Sequence, residues 1–234
     1  GKHADGTKIE AKLAKSFLML NACIEASYGS NNTALAMDTN RVIANIYRAI
    51  PMKIRSSHAN NNYIRNVKSA GNPVRYYECI MNYIGNKDLK YSRETKSNYN
   101  YHIDATGTVT KLPELIIFEF FDNECENMSY VDIITLIEAS SNKKAKYKLD
   151  AAVVRDTKKR HFCALLTVNG VQYGFDGASH SRLAKFGWHK HLLDSTWREK
   201  MWSFNGSNFD GDPTNPIKWS FSSAYHLLFY YRVE

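Results

Sequence analysis

The stretch Tyr147-Lys-Leu-Asp-Ala-Ala-Val-Val-Arg-Asp-Thr-Lys-Lys-Arg-His-Phe-Cys-Ala-Leu-Leu-Thr-Val-Asn-Gly-Val-Gln-Tyr-Gly-Phe-Asp176 decides how the chain is read. It has the pattern of two or three successive strands. The last two are joined by Asn169-Gly170, the strongest short-range hairpin signal, because both residues tolerate the positive φ of a type I′ turn. With that turn, Val168 faces Val171, and counting outward Cys163 faces Asp176 and His161 faces Ala178. Asp176 then sits diagonal to His161 on one face of the ribbon, roughly 7–8 Å away between backbones, which long side chains close. An imidazole held by a carboxylate is the general-base half of a nucleophilic triad. The plain alternative is a surface hairpin with an incidental His and Asp.

Working outward, 234 residues make one large domain or two small ones, with enough chain to bury a real core. With 23% charged and 44% hydrophobic residues, the composition is that of a globular chain and excludes a low-complexity polymer. No run of 18 apolar residues occurs, so no membrane span is expected. The start, Gly1-Lys2-His3, carries no secretory signal and reads as the cut end of a longer protein. Cys23, Cys79, Cys125 and Cys163 are widely spaced with no Cys-x-x-Cys. That argues against a disulfide scaffold or zinc ribbon and fits a reducing, intracellular compartment, cytoplasm or nucleus. The net charge of +8 admits acidic partners, but the basic residues are scattered and no nucleic-acid-binding motif is present.

Residues 1–9 read as a loose tail, and 10–234 as a single α+β domain, mainly helical over 10–100 and mainly strand over 101–234. From Glu10 to Tyr28, Leu13, Phe17, Leu20 and Ile24 recur at helical spacing. Two readings are open there: one continuous helix, or a break with Asn21 capping a second helix whose first turn holds Cys23. The second matters chemically, since a helix N-terminus lowers a thiol pKa. Residues 38–50 read as a helix stopped before Pro51, and Pro73–Ile84 as another, closed by Gly85. Residues 86–112 are polar and weakly signalled. Leu115–Phe121 is an apolar run of strand length, Ser129–Ile137 reads as a capped helix, and Ala224–Val233 as a closing strand.

A general base needs a nucleophile, and among the four thiols Cys23 is the best placed. Cys79 falls on the apolar face of its helix, and Cys125 lies between Glu124 and Glu126, which raise its pKa. Cys163 shares the strand of His161 two residues away, too close along one chain to attack a separate substrate atom. His189 and His191 form a two-ligand pair with no third ligand in view, short of what metals require. The tryptophans Trp188, Trp197, Trp202 and Trp219 read as packing residues.

These residues resemble the ubiquitin-specific proteases, papain-like cysteine peptidases shaped as palm, thumb and fingers. That family's carboxyl-terminal box runs Tyr-x-Leu, hydrophobics, a short loop, His-Tyr/Phe-x-Ala, then aromatic-x-Phe-Asp. The counterparts here are Tyr147-Lys-Leu149, Ala152-Val-Val154, Arg155–Arg160, His161-Phe-Cys-Ala164 and Tyr173-Gly-Phe-Asp176. Ala224-Tyr-His-Leu-Leu-Phe-Tyr230 is similar to the family's closing strand, and Leu112-Pro-Glu-Leu-Ile-Ile117 to its Leu-Pro-x-Ile-Leu strand. Of the amino-terminal Gly-Asn-Thr-Cys-Tyr-x-Asn-Ser box, only Asn21, Cys23 and Ser27 keep their spacing, and Asn72–Tyr77 is loosely like the Gln-Asp-Ala-x-Glu-Phe stretch.

The resemblance implies a papain-like fold with a helical thumb-like lobe, an antiparallel β palm, and fingers short or absent, since the zinc-binding Cys pairs are missing. It implies a Cys23–His161–Asp176 triad that cleaves after the carboxyl-terminal Gly of ubiquitin or a ubiquitin-like modifier, SUMO included, with no cofactor and no metal. The basic loop, Arg155, Asp156, Lys158 and Arg160, would lie over the substrate tail. The family's oxyanion Asn, five residues before the Cys, is here Leu18, which leaves Asn21 or backbone N–H groups for that task. Loss of one such donor costs roughly 3–4 kcal/mol of barrier. Three alternatives stand beside this reading: a catalytically inactive binding module of the same fold, a polyprotein-processing cysteine protease, and a basic nucleic-acid-binding protein. In each case the chain reads as a monomeric module of a longer protein.

Overall fold

The computed structural model describes residues 3, 7–29, 44–46, 48–51, 74, 80, 83–84, 91–103, 108–159, 161–177, 183–205, 208–209 and 214–234. The chain divides into two compact units, Gly1–Asp88 and Leu89–Glu234.

In the first unit, helix α1 (Ala11–Gly29) runs without a break. Its apolar stripe follows the 3.6-residue period: Leu13 is buried against Ile46, with Phe17, Leu20, Ala49, Ile80 and Tyr83 packed around them. Tyr83 is tied to the start of α1 through its hydroxyl, which donates to Glu10, while His3 Nδ1 lies 3.1 Å from the Tyr83 carbonyl. Described positions at 44–46, 48–49, 74, 80 and 83–84 are helical. Ile50 is a buried bend where the expected 38–50 helix ends, and the rest of that helix and of the one expected over 73–84, with Gly85, lies outside the described residues.

The second unit is built on a mixed, mostly antiparallel sheet. Its strands are β1 (Tyr91–Glu94), β2 (Thr108–Val109), β3 (Leu115–Phe120), β4 (Ile133–Glu138), β5 (Lys144–Arg155), β6 (Phe162–Val168), β7 (Val171–Phe175), β8 (Ala184–Lys185) and β9 (His226–Arg232). The order across the sheet is β1-β3-β9-β5-β6-β7-β8, with β4 pairing β5 and β2 pairing β4. Two pairs, β1 with β3 and β2 with β4, are parallel. Strand β3, apolar apart from Glu119, is buried along nearly its whole length, as expected for an inner strand covered on both faces. Strand β5 alternates exposed and buried residues over Lys144–Leu149 and shifts register at Leu149/Ala151, where Asp150 is the extra residue against β9.

Helix α2 (Lys96–Ile103) links β1 to its parallel partner and is anchored by two buried side chains, Tyr99 and His102. Tyr99 is fully buried, its ring 4.8 Å from Phe118 and 5.3 Å from Phe120, and its hydroxyl accepts the Val131 N–H at 2.9 Å. Helices α3 (Trp188–Leu193) and α4 (Ser195–Arg198) meet at Asp194, whose carboxylate caps α4 by accepting the Thr196 N–H at 2.8 Å. Trp188, Trp202 and Trp219 are buried. Trp197 is half-buried, with the ammonium groups of Lys190 and Lys200 at 3.3 and 3.9 Å from its ring centre.

One expected element is corrected. Ser129–Ile137 is not a helix: Ile133–Glu138 forms β4, paired antiparallel with β5 in the register Ile134↔Tyr147 and Leu136↔Ala145. Ile134 and Leu136 point inward while Ile133 is half exposed, a period of two. The β-branched run Ile-Ile-Thr packs better on a pleated surface than in a helix, where χ1 is restricted. Among the described residues no helix is long and apolar enough to cross a membrane.

Candidate active site

The C-terminal ends of β3, β5 and β7 and the N-terminal ends of β6 and β9 meet at one end of the sheet. His161 directly precedes β6 and Asp176 directly follows β7. The turn between these strands has φ +50° at Asn169 and +77° at Gly170, the left-handed pair a type I′ loop needs. Val168 pairs with Val171, and the ladder runs to Ala164 opposite Phe175. Asp176 therefore lies one step on, diagonal to His161, and its Oδ1 is bonded to His161 Nε2.

Asp176 is 1% exposed while the His161 side chain keeps 22% of its surface. A carboxylate only accepts, so Nε2 carries the proton of the neutral ring and Nδ1 holds the lone pair. Among the described residues Nδ1 has no hydrogen-bond partner; it is the basic nitrogen of a ring already fixed in tautomer and orientation. The Trp219 ring lies 6.1 Å from the imidazole at 51°. The backbone of His161 is clamped by buried Asp156: its N–H donates to Asp156 Oδ1 at 2.7 Å, and its carbonyl accepts the Asp156 N–H at 2.7 Å.

The basic turn is largely tied to the protein. Arg155, the last residue of β5, makes a two-oxygen pair with Asp122 at 2.7 and 2.9 Å, and its guanidinium lies 5.1 Å over the Tyr225 ring. Lys158 is exposed, and Arg160 lies outside the described residues.

A second thiol–imidazole pair, which no sequence spacing announced, lies at the same end of the sheet. Cys125 Sγ is 3.6 Å from His226 Nδ1, with both residues fully buried. It is not a nucleophile. His226 Nδ1 is 2.9 Å from the Ala224 carbonyl, which can only accept, so Nδ1 already bears the ring proton and Nε2 accepts the Tyr130 hydroxyl at 2.9 Å. Burial, with Asp122 and Glu124 adding to it, pushes the thiol up to about 12; burial pushes the imidazole down to about 4. Both shifts run against a thiolate–imidazolium pair, since burial disfavours the charged form of each group. The Cys163 thiol is likewise raised well above its ordinary range, first by burial and then by Asp176.

Cys23 falls in α1, whose continuity settles the choice left open by the sequence: Asn21 is exposed within the helix and does not cap a second one. The amide of Cys23 is thus in the helix interior, far from the free N–H groups of a helix start. The side chain of Cys23, and all of Cys79, lie outside the described residues. Leu18 is 70% exposed. His189 and His191 share helix α3, where two-residue spacing points them apart; His191 is buried against Phe186 and Trp202. Among the described residues no group of three or more His, Cys, Asp or Glu is gathered to hold a metal.

The fold and this pair define a mixed α/β chain with a mostly antiparallel sheet that carries an oriented histidine base at one end. No protein-family model matches the chain, and no curated protein matches it. Among solved structures it has a distant likeness to "Structure of the Ubp8-Sgf11-Sgf73-Sus1 SAGA DUB module", with TM-score 0.35 and 13% identity over 62% of this chain. The alignment spans 34% of that chain, about a third of its length.

Proposed function

We propose that the protein is a papain-like thiol hydrolase of the ubiquitin-specific protease type, a reduced form without zinc-binding fingers. The observation that carries this reading is the His161–Asp176 pair, with Nε2 committed to a buried carboxylate and Nδ1 without a hydrogen-bond partner among the described residues. The elimination of Cys125 and Cys163 as nucleophiles supports it, leaving Cys23 and Cys79. In this mechanism His161 Nδ1 takes the proton of the Cys23 thiol. The thiolate attacks the carbonyl carbon of the carboxyl-terminal Gly of ubiquitin or a ubiquitin-like modifier such as SUMO. The tetrahedral oxyanion collapses as His161 returns its proton to the leaving lysine amine, and water then hydrolyses the thioester with His161 again as base. Asp176 keeps the tautomer and stabilises the imidazolium. The exposed Asn21 is the side chain for the oxyanion, and the exposed Lys158 is the basic group for the substrate tail.

A second reading, an inactive binding module of the same fold, is favoured by the position of Cys23 inside an uninterrupted helix, where its backbone is far from the free N–H groups of a helix start. Ubiquitin and SUMO bearing a carboxyl-terminal electrophile separate the two. The hydrolase forms an adduct that peptide mapping places on Cys23, absent in Cys23→Ala and slowed about 100- to 10,000-fold in His161→Gln. Binding of the modifier without any adduct establishes the inactive module.

A further inference from the structure

Asp122 opens the 3-10 turn (Asp122–Glu124) that follows β3. Strand β3 does not touch β6, because β9 and β5 lie between them. Yet the Asp122 carboxylate gathers groups from three separate segments on the way to His161. It takes Arg155 Nη2 from the end of β5 at 2.7 and 2.9 Å, and Lys159 Nζ from the β5–β6 turn at 2.8 Å. It also accepts the Tyr225 N–H, one residue before β9, at 2.6 Å. Burial raises this carboxyl, but the bonds from Lys159, Arg155 and Tyr225 outweigh it and hold the group below its ordinary range, ionised.

The turn itself has little slack. Lys159 has φ +61° and donates its N–H to the Asp156 carbonyl at 2.9 Å, and the Thr157 N–H donates to the Lys218 carbonyl at 2.9 Å. Asp156 holds His161 at both backbone polar groups. Arg155, which precedes Asp156, and Lys159, at the close of the turn, both end on Asp122. Behind Tyr225 the network continues: its hydroxyl donates to buried Glu119 at 2.6 Å, and Glu119 accepts Arg93 Nε of β1 at 2.7 Å. One carboxylate thus anchors the turn carrying the imidazole to three strands of the rigid sheet.

We infer that Asp122 is a positioning residue for His161: by holding Arg155 and Lys159 it fixes the turn from which the ring is aimed at Asp176. The catalytic half of this inference rests on the hydrolase reading above; the structural half does not, and the experiment reads them separately. The first arm follows the His161 Nε2 proton by NMR, as the downfield imidazole N–H whose exchange with water is slowed by its bond to buried Asp176. In Asp122→Ala that exchange is faster by about tenfold or more, as local opening of the turn requires. Asp122→Glu restores most of the protection. Lys159→Ala, at an exposed side chain, gives a smaller change of the same sign and serves if Asp122→Ala does not fold. Unchanged protection in a folded Asp122→Ala or in Lys159→Ala overturns the inference, whatever the activity. In the second arm, if the wild-type chain takes the electrophilic modifier, Asp122→Ala lowers the maximal adduct rate by about 100-fold at unchanged modifier affinity. An equal rate in the variant overturns the positioning role, whereas a wild-type chain that never reacts overturns the hydrolase reading and leaves the first arm to decide.

Discussion

His226 sets a pH dependence of stability that can be worked out in advance. The residue is fully buried, donates to Ala224, accepts from Tyr130 and stacks on Phe120 at 4.9 Å. Burial depresses its pKa from the ordinary 6.5 to about 4. The folded state therefore refuses a proton that the unfolded chain accepts below pH 6.5. Stability from this source is complete above that pH, falls as pH drops from 6.5 toward 4, and is flat below. The full loss is about 3 kcal/mol, of which about 2 kcal/mol is gone between pH 7 and pH 5. All four tryptophans lie in the unit Leu89–Glu234, so urea unfolding followed by tryptophan fluorescence reports on the part that holds His226. The comparison is wild type against His226→Gln, each at pH 7 and pH 5. Burial also lowers His102 and His189, but they are common to both proteins and cancel in the difference. The variant is less stable at pH 7, yet loses about 2 kcal/mol less than wild type on going to pH 5. Parallel losses in the two proteins would refute the reasoning, because they would mean that the buried ring takes up its proton as easily as an unfolded one.

Gly174→Ala is expected to cost about 1–3 kcal/mol, since a methyl there sits 2.6 Å from Cε2 of buried Phe209; urea midpoints measure it. Cys125 and Cys163 are expected to resist an aromatic disulfide reagent in the native protein and to react once it is unfolded, with peptide mapping as the readout. Rapid native labelling of either would contradict the raised thiols described above.

The parts of the fold that local chemistry dictates could be read from the sequence. Asn169-Gly170 fixed the hairpin and its register, and period-two counting from that turn put Asp176 diagonal to His161. The apolar run of β3 and the aromatic run of β9 were legible for the same reason, as were Leu13, Phe17 and Leu20 on one face of α1. The misread segment, Ile133–Glu138, has apolar residues at both periods, and only its partner β5 decides between them. Helix α2 has almost no amphipathic pattern; it is held by the buried rings of Tyr99 and His102, which local periodicity does not register. Cys125 and His226 are 101 residues apart and meet only because β3 and β9 pair. Asp122 gave no signal beyond being an acidic residue just past a buried strand, since its three partners come from three different segments.

The placement of β9 has a consequence for how the protein is made. Among the described strands it is the last to leave the ribosome, yet it lies between β3 and β5. Until it arrives, each of those strands presents an unsatisfied apolar edge in a half-built sheet, open to the wrong neighbour. Nascent chains halted short of Ala224 should therefore cling to chaperones and stay soft to proteases, and tryptic resistance should appear abruptly once Arg232 has cleared the exit tunnel.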